Sequence, residues 1–158
     1  MAFHALSVIE QIAGAVVTVV VLLDVFLTVL YARAGIAVFS GAVSNAIWVV
    51  FRFLSRPLSR RRGTALSFCG PVVLLALIFV WAAGLALGSA LIMHQHLGRD
   101  LVASQGPTPR DFVSALYAGA SSLAIVGAAD FKPQSSALQA LYMLNSLIGM
   151  SVTSLVLT

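Results

Sequence analysis

The sequence predicts an all-α integral membrane protein, and three observations predict it. Hydrophobic residues make up 60% of the 158-residue chain and charged residues only 9%, with a mean hydropathy of +1.03. A water-soluble chain of this length needs more polar surface than that to cover its exterior, whereas a bilayer removes the need. The apolar residues gather into stretches long enough to cross a membrane. Six of the nine basic residues, Arg33, Arg52, Arg56, Arg60, Arg61 and Arg62, crowd into one linker between two such stretches. That placement is a topology signal, so the net charge of +4 does not imply a nucleic-acid partner. The expected architecture is one bundle completed by neighbouring copies: three transmembrane helices, an interfacial amphipathic helix, and a re-entrant helix with its loop. Residues 1–63 form the N-terminal part and 64–158 the remainder.

The first apolar segment runs from Leu6 to Tyr31, with Glu10 near its start and Asp24 inside it. No basic residue precedes it, so a cleavable leader is not expected. Residues 64–93 form the second segment, without a charge, and 134–158 the third, also without one. As helices these cover roughly 40, 45 and 37 Å, enough for ~30 Å of hydrocarbon with some tilt. Between the first two, Phe39 to Leu54 carries Trp48 and Arg52. It is expected to lie along the inner headgroups, with Arg52, Arg56, Arg60, Arg61 and Arg62 facing anionic lipid; an ordinary cytoplasmic loop helix is the other reading. The positive-inside rule makes this linker cytoplasmic. The N-terminus and the loop 94–110 are then outside, and the last span runs inward. It reaches Thr158 without a basic flank, which leaves room for further chain.

Residues 108–133 hold the most information. Thr108, Pro109 and Asp111 read as a helix start, with a hydroxyl N-cap, proline in the first position and an acid in the first turn. The predicted helix covers 109–122. After Ser121 and Ser122 the helical pattern stops, and Ala124, Ile125, Val126, Gly127, Ala128, Ala129 and Asp130 read as an extended loop. A short helix followed by an extended segment is the pattern of a re-entrant loop, whose backbone must be satisfied by protein or water. A thin fourth span over 112–129 is the alternative. Against it, the flanks carry similar mixed charge, Arg99, Asp100, Arg110 and Asp111 before, Asp130 and Lys132 after.

The run Ser114 to Pro133 resembles the pore segment of potassium-channel-type proteins, whose common form is A-L-Y, about six residues, T-V-G-Y-G-D and a nearby proline. Ala115, Leu116 and Tyr117 match the pore-helix part; Val126, Gly127, Asp130 and Pro133 match filter and exit positions. Gly149 occupies the place of the family's inner-helix hinge glycine. The chain also looks like small bacterial channels with an extra N-terminal span. The resemblance implies a homotetrameric, multi-pass pore in a bacterial plasma membrane, with a filter over 124–130, an outer helix over 64–93 and an inner helix over 134–158. It implies no cofactor, only a permeant monovalent cation, potassium or sodium; the residues themselves carry no enzyme signature, with the five acids scattered, no serine or cysteine nucleophile near a histidine in sequence, and no phosphate loop. Three departures alter the filter: Ile125 replaces a threonine hydroxyl, Ala128 an aromatic ring, and Ala129 a glycine. Alanine in place of a glycine needing a left-handed backbone costs on the order of 1 kcal/mol. Potassium selectivity is therefore not expected to carry over. The expected function is a cation channel with weak or unusual selectivity; the alternative is a non-conducting scaffold or a subunit of a heteromeric channel.

Several other residues carry two readings each. Asp24 is an acid inside a span, either an ion or proton relay or a gating contact, or a carboxyl that pairs with an arginine or a polar group on another helix or is protonated in place. Asn145 either lines a cavity or bridges helices. Ser121 and Ser122 either offer hydroxyls below the filter or bond back to their own helix, and Gly149 is a hinge or a packing glycine. His94 and His96 suit a zinc site or a pH sensor, or are solvated loop histidines. Gly84 and Gly88 form a G-x-x-x-G that permits close helix approach. Cys69 is the single cysteine, which excludes an intrachain disulfide or a cysteine-based zinc site, and it is read as packing in an apolar run.

Overall fold

In the computed structural model residues 2–30, 39–54, 67–124 and 130–157 are described. The protein is mostly helical. Its elements are α1 (Ala2–Leu30), α2 (Ser40–Leu54), α3 (Cys69–Met93), a 3-10 turn (His94–His96), β1 (Leu101–Ala103), α4 (Phe112–Leu123), β2 (Phe131–Pro133) and α5 (Ser136–Leu157). Two helical stretches, Ser7–Val29 and Cys69–His96, are long and apolar enough to cross a membrane. At 22 residues α5 is about 33 Å long, but Gln139 and Asn145 and several hydroxyls make it more polar than α1 or α3. The chain divides into two compact units, one of Met1–Val21 with Ala82–Thr158 and one of Leu22–Trp81.

In the first unit, α1 and α3 meet backbone to backbone. A Cβ on Gly14 would lie 2.6 Å from the Gly88 carbonyl oxygen and 2.8 Å from Ile92 Cγ1, and one on Gly88 would overlap the Thr18 hydroxyl. The glycine pair read from the sequence is thus a packing surface, and its partners are Gly14, Thr18 and Val21. Contact at this range suits a lipid solvent, where association rests on close packing rather than on expelling water. The core of the unit is Ala90, Met93, Leu97, Leu101, Ala115, Ala118, Phe131 and Leu138. Alanines on α3 and α4 bring those helices close, while Met93, Leu97 and Leu101 fill the space beneath the turn. On α1 the opposite face, Ile9, Ile12, Val16 and Val19, is more than half exposed. A soluble protein buries such a face; a lipid-facing helix leaves it bare.

Two short strands depart from the all-helical expectation. β1 and β2 pair antiparallel, with Leu101 opposite Pro133, Val102 opposite Lys132 and Ala103 opposite Phe131. Three-residue strands are too short to show an alternating pattern, which is why they are not legible from residue order alone.

The second unit is organised around the start of α2. Ser40 is 3% exposed and Asp24, on α1, is fully buried beside it. Further along α2, the Arg52 guanidinium lies 5.2 Å from the centre of the Trp48 ring, and Trp48, Val49 and Phe53 are exposed. Arg33, Arg56, Arg60, Arg61 and Arg62, the remainder of the basic cluster, lie outside the described residues.

Candidate functional site

The candidate site is the segment from Ser104 to Asp130. Its two ends are fastened to each other: the strands pair just outside it, the Ser104 amide donates to the Asp130 carbonyl at 2.7 Å, and the Gln134 amide donates to the Asp100 carbonyl at 2.7 Å. The chain therefore leaves and returns at one place. Between those ends stands α4, whose twelve residues measure about 18 Å.

The start of α4 differs from the expected one. Asp111 is the N-cap, accepting from the Ser114 amide at 3.1 Å and from the Ser114 hydroxyl at 2.8 Å. These bonds, the hydroxyl's first, hold the Asp111 carboxyl below the ordinary carboxylate range. Thr108 does not cap the helix; its Oγ1 accepts from the Ala103 amide at 3.0 Å and so supports the end of β1. Both residues are good caps, and the threonine is already engaged by the strand. The helix starts at Phe112 rather than at Pro109 and ends at Leu123 rather than at Ser122.

The far end of α4 is bound to α5 through Ser122. The Asn145 side-chain amide donates to Ser122 Oγ at 2.9 Å, Ser122 Oγ donates to the Gly119 carbonyl at 2.7 Å, and Ser146 Oγ donates to the Ser122 carbonyl at 3.0 Å. Asn145 and Ser122 are each 2% exposed. Asn145 thus bridges two helices within one chain. Ser121 donates back to the Ala118 carbonyl at 2.9 Å. Gly149 sits against the last turn of α4, where an added Cβ would run into the Leu123 carbonyl. Its role within the chain is close packing.

Ala124 follows as the C-cap of α4, with its amide donating to the Ala120 and Ser121 carbonyls. Ile125, Val126, Gly127, Ala128 and Ala129, the heart of the expected filter, lie outside the described residues. Asp130 reappears beyond them, its carboxylate accepting from the Tyr117 hydroxyl, and the Tyr117 and Phe131 rings lie 6.2 Å apart. Tyr117, Asp130, Phe131 and Lys132 line an open recess with Ser104 and Pro107. A second recess, with Tyr142, Met143, Ser146, Leu147 and Met150 as its walls, opens on α5.

Asp24 makes a separate polar knot. Its Oδ1 accepts from the Phe39 amide at 2.8 Å and the Ser40 amide at 3.5 Å, and its Oδ2 from Ser40 Oγ at 2.6 Å and Trp81 Nε1 at 2.9 Å. Thr28 Oγ1 in turn donates to Ser40 Oγ at 2.7 Å. The carboxylate is met by four uncharged donors and fixes the start of α2 to α1. The partners carry no charge, so no charge pattern in the sequence marks them.

His94 and His96 are bonded rather than free in the loop. His94 Nδ1 is 2.8 Å from Glu10 Oε1, and Gln95 donates to Glu10 Oε2 at 3.0 Å and to the Ser7 carbonyl at 2.6 Å. His96 meets Asp100 and Gln11. Glu10 and Gln11 were not singled out from sequence. The available signal was position: both stand at the end of α1 that meets the turn following α3. Among the described residues no group of three or more histidine, cysteine or acidic side chains is arranged to hold a metal ion. No family model, curated protein or solved structure matches the chain.

Proposed function

We propose that the chain is one subunit of a tetrameric, channel-like cation pore in a bacterial plasma membrane, with residues 104–130 as its re-entrant loop. The observation that carries this reading is the pairing of β1 with β2 around a helix too short to cross. The ~18 Å of α4 fall well short of ~30 Å of hydrocarbon, and the chain comes back to where it left. A dip into the membrane and out again on one side accounts for both facts. Lipid cannot satisfy the backbone of such a dip, so copies of the chain around an axis are needed to enclose it. The bare apolar stripe of Met143, Leu147 and Met150 on α5 suits contact with neighbouring copies, and α5 supplies the third span. The N-terminus is then outside and the C-terminus in the cytoplasm. Exposed Trp48, Val49 and Phe53, with Arg52 stacked on Trp48, suit α2 to the interface with anionic lipid.

The conducted ion is a monovalent cation, and the filter discriminates weakly. Ile125, Ala128 and Ala129 remove a hydroxyl, an aromatic brace and a permissive glycine from the pattern the segment resembles, and rings of ordered carbonyls are what selectivity needs. Flux from liposomes carrying the purified protein tests the reading. Comparable potassium and sodium flux above that of empty vesicles is expected. A second reading, a non-conducting channel-derived subunit, is favoured by the same alanines and by the apolar side chains of Ile125 and Val126. Absence of flux under every gradient would support it and reject the homomeric pore.

A further inference from the structure

The open recess beside α4 has a volume of about 720 Å³ and lies between the end of β1, the chain that follows it, Tyr117 and the start of β2. That size is within the range of small-molecule sites. Its walls are fastened to one another by hydrogen bonds: the Ser104 amide to the Asp130 carbonyl, the Ala103 amide to Thr108 Oγ1, and the Tyr117 hydroxyl to the Asp130 carboxylate. Walls tied in this way need little ordering when a ligand enters. Two opposite charges line the recess without meeting. Asp130 and Lys132 stand two residues apart at and beside β2, which sets their Cα atoms roughly 7 Å apart. Among the described residues the ion pairs are His94–Glu10 and His96–Asp100, so the Lys132 ammonium and the Asp130 carboxylate are not joined. Tyr117 holds Asp130 through Oδ2, and Oδ1 has no donor among the described residues. Both charged residues are exposed, which suits a recess that opens to water rather than to lipid. Beside the charges the surface is apolar, made of Pro107, Pro109 and the Tyr117 ring.

We propose that this recess binds a free amino acid with an apolar side chain. The ligand's ammonium meets Asp130 Oδ1, its carboxylate meets the Lys132 ammonium, and its side chain lies on the prolines and the tyrosine ring. An ammonium and a carboxylate carried on one carbon need one partner of each sign a short way apart, and charge-assisted bonds are the strong ones. The two charges also reject other ligands. A simple amine meets Lys132 as a like charge, and a simple carboxylate meets Asp130 as one, so the recess disfavours both relative to a zwitterion. One chain supplies every wall, and the inference holds whether or not the protein conducts.

The test measures binding of radiolabelled leucine to the purified protein in detergent, with protein-free micelles as the blank. Two fragments of leucine serve as comparisons: 3-methylbutylamine, which lacks the carboxylate, and 4-methylpentanoate, which lacks the ammonium. Wild type should bind leucine saturably with a Kd of ~1 mM or tighter, and each fragment about tenfold more weakly or worse. Lys132 is exposed and unpaired, so substituting it spares the fold. Lys132→Glu makes both charges negative and should reverse the order, binding 3-methylbutylamine more tightly than leucine. That gain also reports a folded recess. The proposal is overturned by the lack of saturable leucine binding up to ~10 mM, by equal binding of leucine and its two fragments, or by a Lys132→Glu variant that still prefers leucine to the amine.

Discussion

Single side chains carry the polar chemistry of this apolar chain, and each can be tested by substitution. Asp24 satisfies four donors in a buried place, so Asp24→Leu strands Trp81 Nε1 and the Ser40 hydroxyl. With an unsatisfied buried donor costing about 1–3 kcal/mol, stability should fall by roughly 2 kcal/mol or more in detergent unfolding. Asp24→Asn, which keeps an accepting oxygen, should lose less. Asn145 and Ser122 form a pair whose coupling in a double-mutant cycle should be about 1 kcal/mol, in the range of hydrogen bonds between membrane helices. A coupling near zero would show that the two contribute separately. At Asp111 the sign of the pH effect is fixed by its lowered pKa. A carboxylate depressed on folding stabilises the native state above the ordinary aspartate value of about 3.9 and loses that contribution as pH falls through its folded value. Wild type and Asp111→Ala should therefore differ in unfolding midpoint at pH 6 and converge in strong acid.

At the scale of elements, the helices were legible and their fastenings were not. Long uncharged runs mark α1 and α3, because hydropathy is summed over many residues and survives any local detail. Gly84 and Gly88 announce a close helix contact, but Gly14, which meets Gly88, stands alone on α1 with no motif around it. The short strands escape notice for a similar reason: Leu101–Ala103 and Phe131–Pro133 are joined by pairing across the whole of residues 104–130, which no local pattern records. The start of α4 was misplaced by three residues because Thr108 and Asp111 are both capping residues, and only the bond from Ala103 to Thr108 decides between them. Asn145 and Gly149 stood out in the sequence as polar and small residues within an apolar run. Their partners, Ser122 and the Leu123 carbonyl, required the structure. The Gly149 contact yields a prediction at this scale. Gly149→Ala puts a methyl against the Leu123 carbonyl, and overpacking of this kind costs roughly 1–3 kcal/mol. Unfolding of the purified variant should show that loss, with α4 displaced from α5; a neutral substitution would mean the two helices separate freely.

For the whole molecule, the central claim is that the segment between the strands dips into the membrane and returns to the side it left. Tetrameric assembly, the filter and the cytoplasmic C-terminus all depend on that path, because a fourth crossing would place α5 the other way round. The most direct measurement is sided labelling of single cysteines in sealed membrane vesicles of known orientation, on a Cys69→Ser background, with a thiol reagent that cannot cross the bilayer. Gln105→Cys and Gln134→Cys bracket the segment on either side of α4. Both should react from the same, outer side. Reaction of the two from opposite sides would make the segment a membrane crossing and contradict the re-entrant loop, and with it the pore.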